Sequence, residues 1–503
     1  MKFGPKRGHF MFIFERFFRD FGLLIGALIL YLIMGDSQIL WQNSGLLAVV
    51  LIAPITRLIQ YRCTFYSIDD EQLIVQTGLL NKRRQEVPLS NITTVDFSQN
   101  IFFQLAKVYS VNVDNASSIS DKQSGTVKMV LKIQDAIYVK KLLLAKGAEE
   151  LGSEADEEEE TGLGERISEA ISGNTIPASV GEILLMGLLR SKAVVVLQLF
   201  TYCSVAISVL SKIFLEKEVD GEEVMTEYIL SVSAPLLIVF AILAVYLLGI
   251  LVSVVLSTVK YYGFRITDRE TSIFIEYGLL TRKTHTLMKE KISGVCYRQS
   301  LLMRVFGRGT LEVFAAGYGG NEGGQEEVAM LYPAIKQEKL YDFLERFLPE
   351  VEYRETLLPA ERKALPYFFL CARFFFAVLF CAGLCAVVPL TSVPQEFFPW
   401  FAAAGGLVLA LAVISVILEY KNTAMSASDQ LISLVNGGFN RETVLIKMEK
   451  VEFAEERASQ RKRTAKGITS IAVGILAPTG VCRHKVRNLS VKAFADLRRR
   501  LIY

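Results

Sequence analysis

Residues 228–259 run for 32 positions without a charged side chain. A helix rises about 1.5 Å per residue, so about 20 apolar residues cross a hydrocarbon core. Five further apolar runs accompany this one, at residues 21–34, 40–59, 193–211, 374–390 and 397–418. They fall two by two along the chain, and the pattern predicts six spans in three hairpins. The rest of the chain is not oily. Apolar residues make up 51% of the 503 and charged residues 21%, with mean hydropathy +0.35. That balance argues against a cytosolic enzyme, while polar stretches of about 100 residues leave room for aqueous domains.

Orientation follows from basic residues in the short flanks. The first and third hairpin turns carry no Lys or Arg, and residues 216–227 carry six acids and one lysine. The other side holds Lys2, Lys6, Arg7, Arg57, Arg62, Arg190, Lys192, Lys260, Arg265, Arg362, Lys363 and Lys421. Both termini and all three polar regions are therefore expected in the cytoplasm of a cell whose plasma membrane holds the spans. The first span follows a basic start but has no small-residue cleavage site, so it reads as an anchor.

The three polar regions repeat one pattern. Phe65-Tyr66-Ser67-Ile68 leads to Gly78-Leu79-Leu80-Asn81-Lys82-Arg83, and Phe264-Arg265-Ile266-Thr267 leads to Gly278-Leu279-Leu280-Thr281-Arg282-Lys283. A fainter third copy ends at Gly437-Gly438-Phe439-Asn440-Arg441. Fourteen residues beyond each first glycine stands a β-branched apolar residue, Ile92, Ile292 or Val451, and a glutamine follows (Gln99, Gln299, Gln460). Short alternating runs split by Asp and Gly read as antiparallel strands, with Gly supplying φ > 0 at the turn. Helical spacing closes each unit, as in Leu340, Phe343, Leu344 and Phe347, or Phe494, Leu497 and Leu501.

A strand pair around a Gly-Leu-Leu-basic-basic turn, a Gln-containing segment and a terminal helix, next to a membrane hairpin, resembles the YdbS/YdbT-like family of bacterial pleckstrin-homology (PH) membrane proteins. The three-module layout resembles the YdbT-like branch. The resemblance implies an α+β membrane protein: six transmembrane helices in three hairpins, each followed by a PH-like β-sandwich or barrel with a C-terminal helix. The implied domains are hairpin 1 at 1–60, module 1 at 61–148, an acidic linker at 149–180, hairpin 2 at 181–260, module 2 at 261–350, a linker with hairpin 3 at 351–420, and module 3 at 421–503.

Two basic clusters are candidate contacts for anionic lipid or an acidic partner. One is the turn set Lys82, Arg83, Arg84, Arg282 and Lys283, where each basic residue near an anionic leaflet contributes about 1 kcal/mol. The other is Arg457, Arg461, Lys462, Arg463 and Lys466. A solubilising hairpin tip is the plainer reading of the first, and a solvated face that of the second. Residues 154–160, nearly all Asp or Glu, read as an extended acidic linker. The glycine-rich 317–324 lacks both the Walker Lys-Ser/Thr and the G-x-G-x-x-G spacing, so it reads as a hairpin tip. Cys381 and Cys385 read as small packing residues within a span.

Net charge of only +3 and the absence of interleaved aromatics argue against nucleic acid. Seven cysteines without a CxxC pair and three scattered histidines give no metal framework, and no nucleophile–base pair or cofactor motif is visible. The expectation is a non-enzymatic scaffold without cofactor. It would bind inner-leaflet lipids, a protein partner such as a smaller single-module PH-like membrane protein, or both. The resemblance implies a role in envelope homeostasis or antimicrobial-peptide resistance. The competing expectation is a transporter or lipid-handling protein with PH-like regulatory modules.

Overall fold

The computed structural model describes residues 3–13, 58–59, 61–69, 71–78, 82–89, 92–115, 126–145, 174–189, 234–269, 271–315, 321–322, 325–326, 330–348, 357–390, 398–458, 466–477 and 480–502. The chain divides into two compact units, Met1–Thr286 and Leu287–Tyr503.

The first unit opens with a four-stranded sheet of β1 (Phe3–Lys6), β2 (Phe65–Ile68), β3 (Gln72–Thr77) and β4 (Arg83–Pro88), in that order. Next come β5 (Ile92–Gln99), the short helix α1 (Ile101–Leu105), β6 (Val108–Asn115), β7 (Thr126–Lys132) and the closing helix α2 (Ile133–Ala145). Apolar residues alternate along these strands, so each sheet buries one face. Tyr66, Ile68, Leu73, Val75, Val87, Val95, Phe97, Val111, Val113, Met129 and Leu131 form one core, sealed by Ala136 and Val139 of α2. The unit continues through β8 (Asn174–Pro177), α3 (Val180–Leu189), α4 (Ala234–Tyr261), β9 (Arg265–Asp268), β10 (Ser272–Tyr277) and β11 (Arg282–Met288). Ser179 and Glu182 cap α3 reciprocally, each side chain accepting the other's N–H at 3.2 Å. Gly187 of α3 lies so close to α4 that a Cβ there would stand 3.0 Å from Val254 Cα.

The second unit begins with β12 (Ile292–Gln299), α5 (Leu301–Val305), β13 (Arg308–Ala315), a small hairpin β14 (Asn321–Glu322) and β15 (Gln325–Glu326), β16 (Met330–Lys336) and α6 (Leu340–Phe347). Then follow β17 (Leu358–Pro359), α7 (Leu365–Phe368), α8 (Ala372–Leu390), α9 (Phe398–Asn422), β18 (Ala424–Ala427), β19 (Leu431–Asn436) and β20 (Arg441–Lys447). The unit ends with β21 (Val451–Arg457), β22 (Ile468–Ala477), β23 (Gly480–Ser490) and α10 (Val491–Ile502). Leu340, Phe343, Leu344 and Phe347 of α6 are all buried, and Leu497 of α10 packs into the core beneath β19–β23.

One strand order thus recurs three times along the chain. A β-bulge follows the first residue of β5, β12 and β21 alike, between Ile92 and Thr94, Ile292 and Gly294, and Val451 and Phe453.

The expected six helices in three hairpins, each followed by its own sandwich, need correction on three counts. Among the described residues one helix is long and apolar enough to cross a membrane, Phe401–Asn422. A second results only if the pair Arg362–Phe368 and Ala372–Ala386, bent by 48°, is a single span. Val180–Leu189 and the part of α4 at Leu247–Tyr261 are apolar but shorter. Runs 21–34 and 193–211 and nearly all of 40–59 lie outside the described residues, as does the acidic 154–160.

Second, the apolar segments do not precede the sandwiches but interrupt them. β1, β8 and β17 come before these segments, yet each pairs antiparallel with the strand after them: Lys6 with Tyr66, Pro177 with Arg265, Pro359 with Ala424. β8 falls within the stretch read as an acidic linker.

Third, the sheets are shared. One seven-stranded sheet runs β7-β6-β5-β11-β10-β9-β8, and the other β16-β13-β12-β20-β19-β18-β17. Each therefore joins the second half of one repeat to the first half of the next. The seams are β5 beside β11 and β12 beside β20. In the second, Gly294 to Gln299 pair in register with Ile446 to Arg441.

Candidate functional site

The basic turn between β10 and β11 is built onto a helix end. Gly278, between β10 and β11, has φ +112°, and a Cβ there would stand 1.9 Å from the Thr281 carbonyl oxygen. Only glycine closes such a turn. The Gly278 N–H donates to the Tyr262 carbonyl at 2.8 Å, and the Leu279 N–H to the Val259 carbonyl at 3.0 Å. The last carbonyls of a helix have no partner within it, so the turn caps α4. Leu279 and Leu280 stand about half exposed at its tip, and Arg282, also exposed, starts β11 beside Lys283.

The short helix α1 meets this turn. Asn100 caps α1 by accepting the Phe103 N–H at 2.8 Å, and the Gln104 Nε2 donates to the Leu280 carbonyl at 3.4 Å. Phe103 is buried, but Phe102 is 61% and Leu105 88% exposed. An exposed apolar rim is more informative than a single exposed leucine. Here it adjoins a basic strand end and the end of an apolar helix.

The second unit repeats the construction. Gly437, at φ +115°, accepts from Asn422 Nδ2 at the end of α9 at 2.6 Å. Arg304 of α5 donates to the Asn422 Oδ1 at 3.3 Å and to the Gly438 carbonyl at 3.5 Å. Leu301, Leu302, Val305 and Phe306 around α5 are exposed, as Ile101, Phe102 and Leu105 of α1 are. Burial, with Arg304 nearby, lowers the pKa of Arg441 at the start of β20.

Beside this turn lies a cavity of about 360 Å³, lined by Cys371, Ala372, Arg373, Glu419, Asn436, Gly437, Lys485 and Arg487. Arg373, at the start of α8, pairs with the buried Glu419 of α9. Lys485 and Arg487, two apart on β23, point to the same face of the strand, and Asn436 Nδ2 holds the Lys485 carbonyl at 2.9 Å. Three cations face one carboxylate that is already paired, and the α8 N-terminus adds its partial positive charge. Such a pocket suits a phosphate or another anion with an apolar tail along α8 and α9.

The candidate residues from the sequence do not converge on one site. Arg282 and Lys283 flank the capped turn. Lys82, Arg83 and Arg84 are exposed at the start of β4, where Arg84 pairs with Glu86 at 2.7 Å. Arg457 pairs with Glu455 at 2.6 Å, and Lys466 lies over the Tyr367 ring at 5.5 Å. Arg461, Lys462 and Arg463 lie outside the described residues. His285 is not beside a ligand site; it is buried in the first seam, with Nδ1 2.9 Å from Asp96 Oδ1 and Nε2 3.0 Å from the Tyr277 hydroxyl.

Sequence reasoning missed Arg373, Glu419, Lys485 and Arg487. Glu419 had a signal, an acid one residue beyond the expected end of an apolar span, and β23 had the Lys-x-Arg alternation of a strand with one basic face.

Residues 21–147 and 194–347 match the family model of the bacterial PH domain, which is more than half of the chain. The chain belongs to the bacterial PH domain family, and its first two repeats are PH-like modules. It is similar to the transmembrane protein YdbT of Bacillus subtilis (strain 168), at 21% identity over 430 residues, covering 85% of this chain and 83% of that protein. No solved structure matches. The third repeat lies outside the matched segments but keeps the strand order and the bulge of the first two.

Proposed function

We propose that this chain is a multi-pass membrane scaffold without catalytic activity. It holds its PH-like modules against the cytoplasmic leaflet, where they bind anionic lipid headgroups and, beside them, a protein partner such as a smaller single-module PH-like membrane protein. The observation that carries this reading is the cavity at the α8–α9 base. Its Arg373, Lys485 and Arg487 sit where an apolar helix, Phe401–Asn422, meets a PH-like module. The capped β10–β11 turn supports it, because Leu279, Leu280, Phe102 and Leu105 offer apolar contact next to Arg282. The relative's description as a transmembrane protein supports the membrane setting. Interfacial basic residues add about 1 kcal/mol each toward an anionic surface. A site with two or three of them discriminates by charge rather than by deep shape.

The test is lipid analysis of the full-length protein purified in mild detergent. Anionic lipid is expected to be enriched several-fold over a control membrane protein, and the Lys485→Glu, Arg487→Glu double variant is expected to lose most of that enrichment. Equal anionic lipid in wild type and control sinks the reading. The same preparation reports a protein partner through co-purification.

A further inference from the structure

Among the described residues, the two shared sheets leave one half-repeat unmatched in the first repeat and one in the third. Every first half of a repeat (β8–β11 and β17–β20) joins a preceding second half, and every second half (β5–β7 and β12–β16) joins a following first half. The exceptions are the first half of repeat one and the second half of repeat three. The four-stranded sheet ends at β4, and the three-stranded sheet ends at β21. By position in the repeat, β4 corresponds to β11 and β20, and β21 to β5 and β12.

Burial reflects the difference. The centre of β20 and nearly all of β12 are buried, whereas Arg83, Arg84, Glu86 and Pro88 of β4 are exposed and β21 is nowhere fully buried.

The register of the β12–β20 seam transfers directly, because the glycine turn and the bulge fix both strands. Phe453 then faces Val87, Ala454 faces Glu86, Glu455 faces Gln85 and Glu456 faces Arg84. The rung held by Asp96 and His285 in the first seam becomes Glu455 with Gln85, again a carboxylate opposite a side chain able to donate. Lys82, Arg83 and Arg84 against Glu86 leave the β4 edge basic, and Glu452, Glu455 and Glu456 against Arg457 leave the β21 edge acidic. One rung opposes like charges, Arg457 with Arg83; in the second seam that rung is Arg298 with Glu442 at 3.0 Å. Pro88 lies beyond the paired stretch and removes no ladder hydrogen bond.

Charged edges also serve to repel strand pairing. Here the two edges carry opposite net sign and matching registers, which repulsion alone does not require.

We propose that β4 of one copy pairs antiparallel with β21 of a second copy, so that the chain assembles head to tail through a third seam of the kind it already contains twice. The assembly does not depend on lipid binding.

Directly opposed residues in an antiparallel pair have Cα atoms about 4.5–5.5 Å apart, within disulfide reach. Two full-length chains with different tags, one Arg84→Cys and the other Glu456→Cys, are co-expressed in membranes and mildly oxidised. The expected result is a mixed dimer several-fold above the background from native cysteines, set by pairing each variant with wild type. Pairing Arg84→Cys with Ala454→Cys, two residues out of register, should give much less.

As a second measurement, co-purification of the two tags in mild detergent should fall with Arg84→Glu in one chain, which sets two acids opposite each other at the Glu456 rung. It should recover when the partner chain carries Glu456→Arg. Absence of mixed product overturns the proposal. So does a product of the double variant Arg84→Cys, Glu456→Cys confined to single chains, which would mean that the chain closes on itself, and so does equal product from the shifted pair.

Discussion

Gly278 shows how a single residue holds a larger site. Its φ of +112° lies where side chains are rarely tolerated, and its N–H caps the end of α4. Gly278→Ala should destabilise the first unit by about 2 kcal/mol through backbone strain and the clash with the Thr281 carbonyl. A fall in the chemical-denaturation midpoint of the full chain would show this, and an unchanged midpoint would refute it. The three turn glycines were legible in the sequence because they recur at one spacing, and positive φ at Gly78, Gly278 and Gly437 is what that recurrence requires. His285 was not legible. Its neighbours are Tyr277, eight residues away, and Asp96, on a strand of the preceding repeat that only the folded seam brings near. Arg298 is a similar case, linking the buried Glu312 and the cross-seam Glu442 from two different strands.

At the scale of elements, helices announced themselves better than sheets. The closing helix α6 carries its apolar stripe at local spacing, and all four residues of that stripe are buried. The leading strands did not, because β1, β8 and β17 are only two to four residues long and pair across an apolar insertion. Sharing of sheets between repeats was equally hidden, since alternation fixes which face of a strand is buried but not which strand lies beside it. One consequence concerns β23 and β13, where His484 packs at a tilt against Phe314 with ring centroids 4.7 Å apart. Burial lowers the His484 pKa below 6.5, and Arg298 adds to this against the opposite pull of Glu442. A histidine held neutral favours the folded state fully above its unfolded pKa, and that contribution is lost as pH falls through the lowered folded value. The second unit should therefore lose thermal stability as pH drops below about 6.5. His484→Gln should flatten part of that slope, whereas His9, also lowered chiefly by burial, belongs to the first unit and acts there. An acid slope identical in wild type and variant would rule out His484 as its source.

For the whole molecule, the antiparallel first strands constrain topology more firmly than hydropathy does. β17 leads into α7–α9 and β18 leads out, and the two are neighbours in one sheet; β8 and β9 flank α3 and α4 in the same way. An insertion that leaves and re-enters one sheet begins and ends on one side of any membrane it crosses. The crossings within it are then even in number, whatever their total along the chain. Every repeat should in consequence face the same compartment, which is the cytoplasm in the orientation proposed above from the basic flanks at Lys260, Arg362, Lys363 and Lys421. Single cysteines at Lys82, Glu290 and Glu449, one in each repeat, provide the check. In intact cells none should react with a membrane-impermeant maleimide beyond the level of the parent chain, and all three should react after permeabilisation. Labelling of any one from outside would place that repeat across the bilayer from the others. That arrangement is incompatible with strands on both sides of each insertion pairing in one sheet.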